Sequence, residues 1–153
     1  MSHSEQLSIE FLSQHNRNAI KTLVLQLLLE LDNTQIDETL YGKSIDTFLE
    51  DPKSVVYVAK YKGKYIGVIT AIESIAIYSQ GNYGVIQELY VSPVARSLSI
   101  GENLINAIKK HAKEVGWSRL EVTTPAPSEW ARTVLFYKNQ GFEEIGYRLK
   151  LII

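Results

Sequence analysis

The hydrophobic pattern of this chain changes period most clearly at residues 85–115, VIQELYVSPVARSLSIGENLINAIKKHAKEV. Residues 85–91 are short and rich in β-branched and aromatic side chains, and Ser92-Pro93 interrupts them, which predicts a strand followed by a stop. From Ile100 onward the apolar residues Ile100, Leu104, Ile105, Ile108, Ala112 and Val115 return at spacings of three and four. That spacing predicts a helix of about four turns with one apolar stripe, and Gly116 is a natural C-cap for it.

The flanking segments extend the pattern in both directions. Residues 7–12 alternate loosely and predict a first strand. Ile20, Leu23, Val24, Leu27, Leu28 and Leu31 recur at helical spacing, with a stop near Asp32 and Asn33. A weaker helical face carries Tyr41, Ile45, Phe48 and Leu49, closed by Asp51-Pro52. The run VVYVAKYKGKYIGVITAIESIAIY then places Lys62-Gly63 where a tight turn joins two antiparallel strands. A second turn at residues 78–82 returns the chain along 83–91, making a meander. Beyond the long helix, residues 119–124 predict a strand parallel to 83–91, because the helix serves as its crossover. Pro125 and Pro127 end it. Ser128 and Glu129 open a further helix through Ala131, Val134, Leu135 and Lys138, ended by Gly141. Residues 142–153 are apolar and β-rich, with Gly146 as a bend between two short strands. The sum is an α/β fold with a mixed, mostly antiparallel sheet of six or seven strands and about four helices.

Composition narrows the chemistry. With 153 residues and 45% hydrophobic content the chain fits one domain over 1–153, residues 1–6 forming a polar tail. The formal net charge of −1, from 16 basic and 17 acidic residues, gives no global field for nucleic acid or an anionic membrane. The absence of cysteine excludes a thiol nucleophile, disulfides and thiolate metal sites. His3, His15 and His111 are too scattered to suggest a metal cluster. The N-terminus lacks the features of a signal peptide and no apolar run is long enough to span a bilayer, so a soluble, cytoplasmic protein is expected.

The loop before the long helix holds the first candidate site. Arg96, Ser97, Ser99 and Gly101 leave backbone N–H groups at the positive end of a helix, a setting that suits a phosphate. The same residues also fit a simpler arrangement. Ser99 and Glu102 match the S-x-x-E capping box, which satisfies those N–H groups from within the chain.

Two segments carry a resemblance. QELYVSPVARSLSIGENLI, with Glu88 before Leu89-Tyr90-Val91 and then Arg96-Ser97-Leu98-Ser99-Ile100-Gly101, is similar to the strand-loop-helix signature of the Gcn5-related N-acetyltransferase (GNAT) family. ARTVLFYKNQGFEEIGY, with Phe136-Tyr137 and Gly141-Phe142, resembles that family's C-terminal aromatic-Tyr-x-x-x-Gly-Phe signature. The resemblance covers the whole order of elements. It implies a sheet splayed between residues 83–91 and 119–124, with acetyl-CoA as co-substrate in the notch and no metal. The backbone of Leu89, Tyr90 and Val91 would pair with the pantetheine arm, and Arg96, Ser97, Leu98, Ser99, Ile100 and Gly101 would hold the diphosphate. This chain departs from the signature at Ser99, where the family has glycine, at Glu102, whose carboxylate would repel phosphate unless it turns into the capping box, and at Trp130, where an asparagine often contacts the cofactor.

The implied activity is direct acetyl transfer to a primary amine of a small molecule or peptide. An alkylammonium held near its ordinary pKa of about 10.4 costs roughly 4–5 kcal/mol to deprotonate at pH 7, so a base is useful. Glu88 matches the family's acidic position for that base; its alternative is an ordinary solvated or salt-bridged strand carboxylate. Tyr137 matches the phenol that steadies or protonates the departing thiolate; its alternative is a packed aromatic. A GNAT-fold module that binds acyl-CoA weakly and regulates a partner is the competing function. Tyr41, Asp37, Glu38, Glu73 and Tyr147 stand where the family forms its acceptor surface. Leu149, Leu151, Ile152 and Ile153 leave an apolar edge that suggests a homodimer.

Overall fold

The structure, a computed structural model, describes residues 6–31, 35–125 and 127–153. The expected polar tail, apart from Gln6, and the expected helix stop at Asp32 and Asn33 lie outside these residues. Five strands form one sheet in the order β1 (Leu7–Phe11), β2 (Ser54–Tyr61), β3 (Lys64–Ala76), β4 (Gly81–Val91) and β5 (Leu120–Val122). The first four are antiparallel neighbours, and β5 joins β4 in parallel. Four helices complete the fold: α1 (Arg17–Glu30), α2 (Glu38–Glu50), α3 (Ile100–Val115) and α4 (Pro127–Asn139). None of the described helices is long and apolar enough to cross a membrane.

Local chemistry explains the elements. Lys62 and Gly63 both have positive φ, 49° and 79°, as a two-residue hairpin turn of the right twist requires. Asp37 caps α2 by accepting from the Leu40 amide at 3.0 Å. The buried Asn16 side chain ties the end of β1 to α1, donating to Phe11 O at 2.9 Å and accepting from the Ser13 amide at 2.8 Å. Gly116, at φ 78°, closes α3 as expected.

Two hydrophobic layers sandwich the sheet. On one face α3 lays Ile100, Leu104, Ile105, Ile108 and Ala112 against Ala59, Ile69, Ala71 and Ile86. Val115, at the end of that helix, is half exposed instead. On the other face Ile20, Leu23 and Val24 of α1 and Ile45 and Leu49 of α2 pack on Val56, Val58, Val68 and Tyr90. Every strand in the middle of the sheet is therefore covered twice, which is why β2 and β3 read as nearly continuous apolar runs.

The C-terminal segment departs from expectation. Residues 142–153 form no strand, so the sheet has five strands rather than six or seven. Ile145, Tyr147, Leu149, Leu151 and Ile153 do alternate as a strand would, but all are exposed. Alternation specifies a face; pairing also needs an edge, and β5 offers only three residues of one. The polar side-chain ties described for this segment are an Arg148 hydrogen bond to Thr123 Oγ1 at 2.5 Å and a Lys138–Glu144 ion pair at 3.0 Å, and Phe142 packs on the α3 layer.

Trp117 anchors the strand edge. Its indole donates to Glu73 Oε2 at 2.7 Å, and its ring lies where a Cβ on Gly84 would come within 2.2 Å of Cζ3. Gly84→Ala should therefore destabilise the fold by about 1–3 kcal/mol through overpacking. Thermal unfolding should show a melting temperature several degrees lower, and an unchanged value would contradict this packing.

Candidate active site

A one-residue irregularity in β4 builds the site. On β3, Thr70 pairs with Glu88 and the next residue, Ala71, pairs with Ile86, so Gln87 is extra. The consequence is a change of face. Ile86 packs in the α3 layer, whereas Glu88 lines a cavity beneath α1 and α2 and Tyr90 belongs to the α1–α2 layer. In an unbroken strand residues 86, 88 and 90 would share a face. The bulge therefore delivers Glu88 to the opposite side of the sheet.

Glu88 is held firmly there. The Thr70 hydroxyl donates to its carboxylate and accepts from its amide at 3.1 Å. Burial pushes the Glu88 carboxyl above its ordinary value, an effect that the Thr70 hydrogen bond partly opposes. The cavity around it measures about 210 Å³ and takes Ile20, Val24 and Leu28 from α1 and Tyr41, Ser44, Ile45, Phe48 and Leu49 from α2. The Tyr41 phenol, which donates to Lys21 O, is pushed up to about 12 by burial and then by the negative charge of Glu88.

The same bulge marks the end of the β4–β5 ladder. That ladder pairs Gly84, Val85 and Ile86 with Leu120, Glu121 and Val122, and goes no further. Residues 87–91 therefore have β3 on one side and no strand on the other, which forms the expected splay. Leu89 and Val91 turn toward the α3 layer, while Tyr90 turns toward α1.

Beyond Val91 a short 3₁₀ turn leads to the start of α3. The amides of Ser97, Ser99, Ile100, Gly101 and Glu102 make no hydrogen bond of good geometry to a described residue. The capping box is not formed. Ser99 sits at φ 59°, ψ 26° and its side chain caps nothing, since a capping serine needs extended backbone to reach back over the first turn. Glu102 is exposed and likewise bonds to nothing described. Arg96 is already engaged: its Nε donates to Val91 O at 3.0 Å, its Nη2 meets both Glu30 oxygens at 2.5 and 2.6 Å, and it lies over the Tyr90 ring. Leu98 packs on the α3 layer and Ile100 is buried. Gly67 lets this helix start lie close to the sheet, because a Cβ there would come within 3.0 Å of Ile100 Cγ2.

Tyr137, on α4, is buried between Phe136 and Phe142, with ring centroids 5.3 and 5.5 Å away. Its hydroxyl bonds to no described residue, yet no sealed side-chain oxygen or nitrogen among them is left unpaired, so the hydroxyl reaches an accessible gap. Burial raises the phenol well above its usual value and keeps it protonated at neutral pH. The α4 helix meets α3 where a Cβ on Gly101 would come within 3.2 Å of the Phe136 ring. Trp130, half-buried, breaks the helical backbone of α4 at φ −132°, ψ 47°.

The other acceptor-surface expectations sort differently. Tyr41 lines the cavity, but Glu73 is spent on Trp117 and Asn82, Asp37 caps α2, and Tyr147 is fully exposed. Thr70 and Glu30 escaped sequence reasoning. The signal for Thr70 was a polar residue inside the apolar run YIGVITAI; for Glu30 there was none.

Comparison with known proteins identifies the family and the fold. A family model described as the acetyltransferase (GNAT) family matches residues 22–142. An IAA acetyltransferase of Azospirillum brasilense is 30% identical over 132 residues, covering 83% of this chain and 81% of that protein. The structure of a possible acetyltransferase from Clostridium difficile 630 superposes with a TM-score of 0.81 at 19% identity over 97% of each chain. An aminoglycoside N-acetyltransferase in complex with CoA gives a TM-score of 0.81 at 15% identity, over 96% of this chain and 94% of that one. At such identities the two structures establish a shared fold.

Ser99 occupies left-handed backbone, which costs a non-glycine residue roughly 1–2 kcal/mol. After allowance for the greater freedom of glycine in the unfolded chain, Ser99→Gly should stabilise the protein by up to about 1 kcal/mol. A melting temperature that falls instead would show that the serine side chain makes a contact worth more than the strain.

Proposed function

Because the chain belongs to the acetyltransferase (GNAT) family, we propose that it uses acetyl-CoA to acetylate a primary amine by direct transfer. The single observation that carries this reading is the succession of three features along β4 and the turn after it: a half-buried carboxylate facing a cavity, an edge with no strand beside it, and unbonded amides at the start of α3. The outer edge of β4 at Leu89, Tyr90 and Val91, which has no strand beside it, suits an extended pantetheine arm, as an added strand. The open amides of Ser97, Ser99, Ile100, Gly101 and Glu102 suit a diphosphate, with Leu98 holding the loop in place. Trp130 holds the position that the family resemblance assigns to a cofactor contact. Acetyl-CoA supplies an activated acyl group, and the residues supply the rest.

In this reading Glu88 takes the proton from the acceptor ammonium. Its raised pKa makes it a better base than an exposed carboxylate. The freed amine forms a C–N bond with the thioester carbon as the C–S bond breaks, and the surplus proton on the new amide nitrogen passes to the departing thiolate or to solvent. A β4 amide near Leu89 donates to the carbonyl oxygen as charge develops on it. The Tyr137 hydroxyl donates a hydrogen bond to the departing sulfur. With its pKa raised, this phenol is a weak acid, so it steadies the thiolate by hydrogen bonding more than by complete proton transfer. The exposed apolar residues of 145–153 give a second copy of the chain a surface to bury.

Release of free CoA thiol with a panel of amines tests the reaction. Glu88→Gln should lower kcat by about 10²-fold or more and abolish an acid limb in the rate profile. That limb should lie above the ordinary carboxylate range, because a raised pKa lets the base pick up its proton, and activity fall away, at a higher pH. Tyr137→Phe should cost more than about tenfold; turnover unaltered by both substitutions would dismiss the assignment. Light scattering after size exclusion should give twice the mass of one chain, and the monomer mass at micromolar concentration would refute the homodimer.

A further inference from the structure

The cavity at Glu88 also has a composition, and composition selects substrates. Six of its ten lining residues, Ile20, Val24, Leu28, Ile45, Phe48 and Leu49, are aliphatic or aromatic hydrocarbon, and Glu88 is its one charged group. None of the acidic residues described on the two covering helices lines this space: Glu38 is exposed in the first turn of α2, and the others are held in ion pairs. Asp46 is held by Arg17 at 2.9 Å and Lys21 at 2.5 Å, Glu50 by Arg17 at 3.3 Å, and Glu30 by Arg96. The Tyr41 hydroxyl is likewise spent on Lys21 O. A second ammonium entering this space would lose its water and meet no described counter-charge, which is costly.

Size points the same way. A dry cavity of about 150 Å³ lined by aliphatic and aromatic side chains is enough to hold a benzene ring, whereas pockets for drug-sized ligands run from roughly 300 Å³ upward. At about 210 Å³ this one takes a phenyl ring or a short branched chain with a linker. Resting on the acetyltransferase reading of the same site, we infer that the acceptor is a primary monoamine on a compact apolar group. The apolar group sits between α1 and α2 and the nitrogen faces Glu88. Polyamines and aminoglycosides are poor substrates.

The test compares phenethylamine, spermidine and kanamycin with acetyl-CoA and the native protein. Phenethylamine should show a kcat/KM at least about tenfold above either polycation, the scale on which apolar pockets discriminate. Ser44→Asp, at an exposed position on the cavity wall, adds a second carboxylate and should shift the ratio several-fold toward spermidine. A polycation preferred by the native protein, or a ratio unmoved by Ser44→Asp, overturns the inference. Calorimetry with CoA present separates it from the reaction itself. If no amine is acetylated but phenethylamine binds at least about tenfold more tightly than spermidine, the pocket assignment stands and the enzymatic one falls; the reverse order of affinities overturns the pocket assignment.

Discussion

One extra residue in β4 sets the terms for this fold. Side chains on a strand alternate faces without exception unless the count is broken, and Gln87 breaks it. Before it, even-numbered residues of β4 serve the α3 layer; after it, they serve the α1–α2 layer. The break also coincides with the last β4–β5 pair, at Ile86 and Val122. A single backbone irregularity thus coincides with the end of β5 pairing along β4 and carries a carboxylate through to the other face. Thr70 completes the arrangement, since its hydroxyl bonds both the amide and the carboxylate of Glu88.

Placing that carboxylate under two helices has an energetic cost that the fold absorbs. A half-buried acid with a raised pKa is destabilising in its charged form, because its surroundings hold the proton more tightly than the unfolded chain does. The penalty grows as pH rises from the ordinary carboxylate range through the raised value. Two continuous apolar layers compensate, and both are built from residues whose spacing is plain in the sequence. Strain at Ser99 is tolerated for the same reason.

Much of this was legible in the chain itself, and the divide follows the physics. The periodicity of residues 100–112, the Lys62-Gly63 turn and the Gly116 cap are local properties, and each element formed where its residues required. The splay followed from the family resemblance and is present. The bulge was harder to see: VIQELYV carries apolar residues on both sides of Gln87-Glu88, and a strand buried on both faces hides a change of parity. The capping box failed because S-x-x-E records residue types, whereas capping depends on a backbone angle that Ser99 does not adopt. The last strands failed because pairing depends on an edge elsewhere in the fold. The Arg96–Glu30 pair spans 66 positions and no local pattern announces it.

That ion pair joins two regions that sequence order keeps apart. Glu30 is the final residue of α1, which roofs the Glu88 cavity, and Arg96 opens the turn into α3. Both side chains are partly exposed, so the pair adds little to overall stability. It ties the end of that roof to the turn. An anion that drew the guanidinium toward the α3 amides would loosen the end of the roof, and a roof pressed down by an acceptor would steady the guanidinium. Occupancy of either chamber would then be felt in the other, and by thermodynamic reciprocity the influence would be equal in both directions.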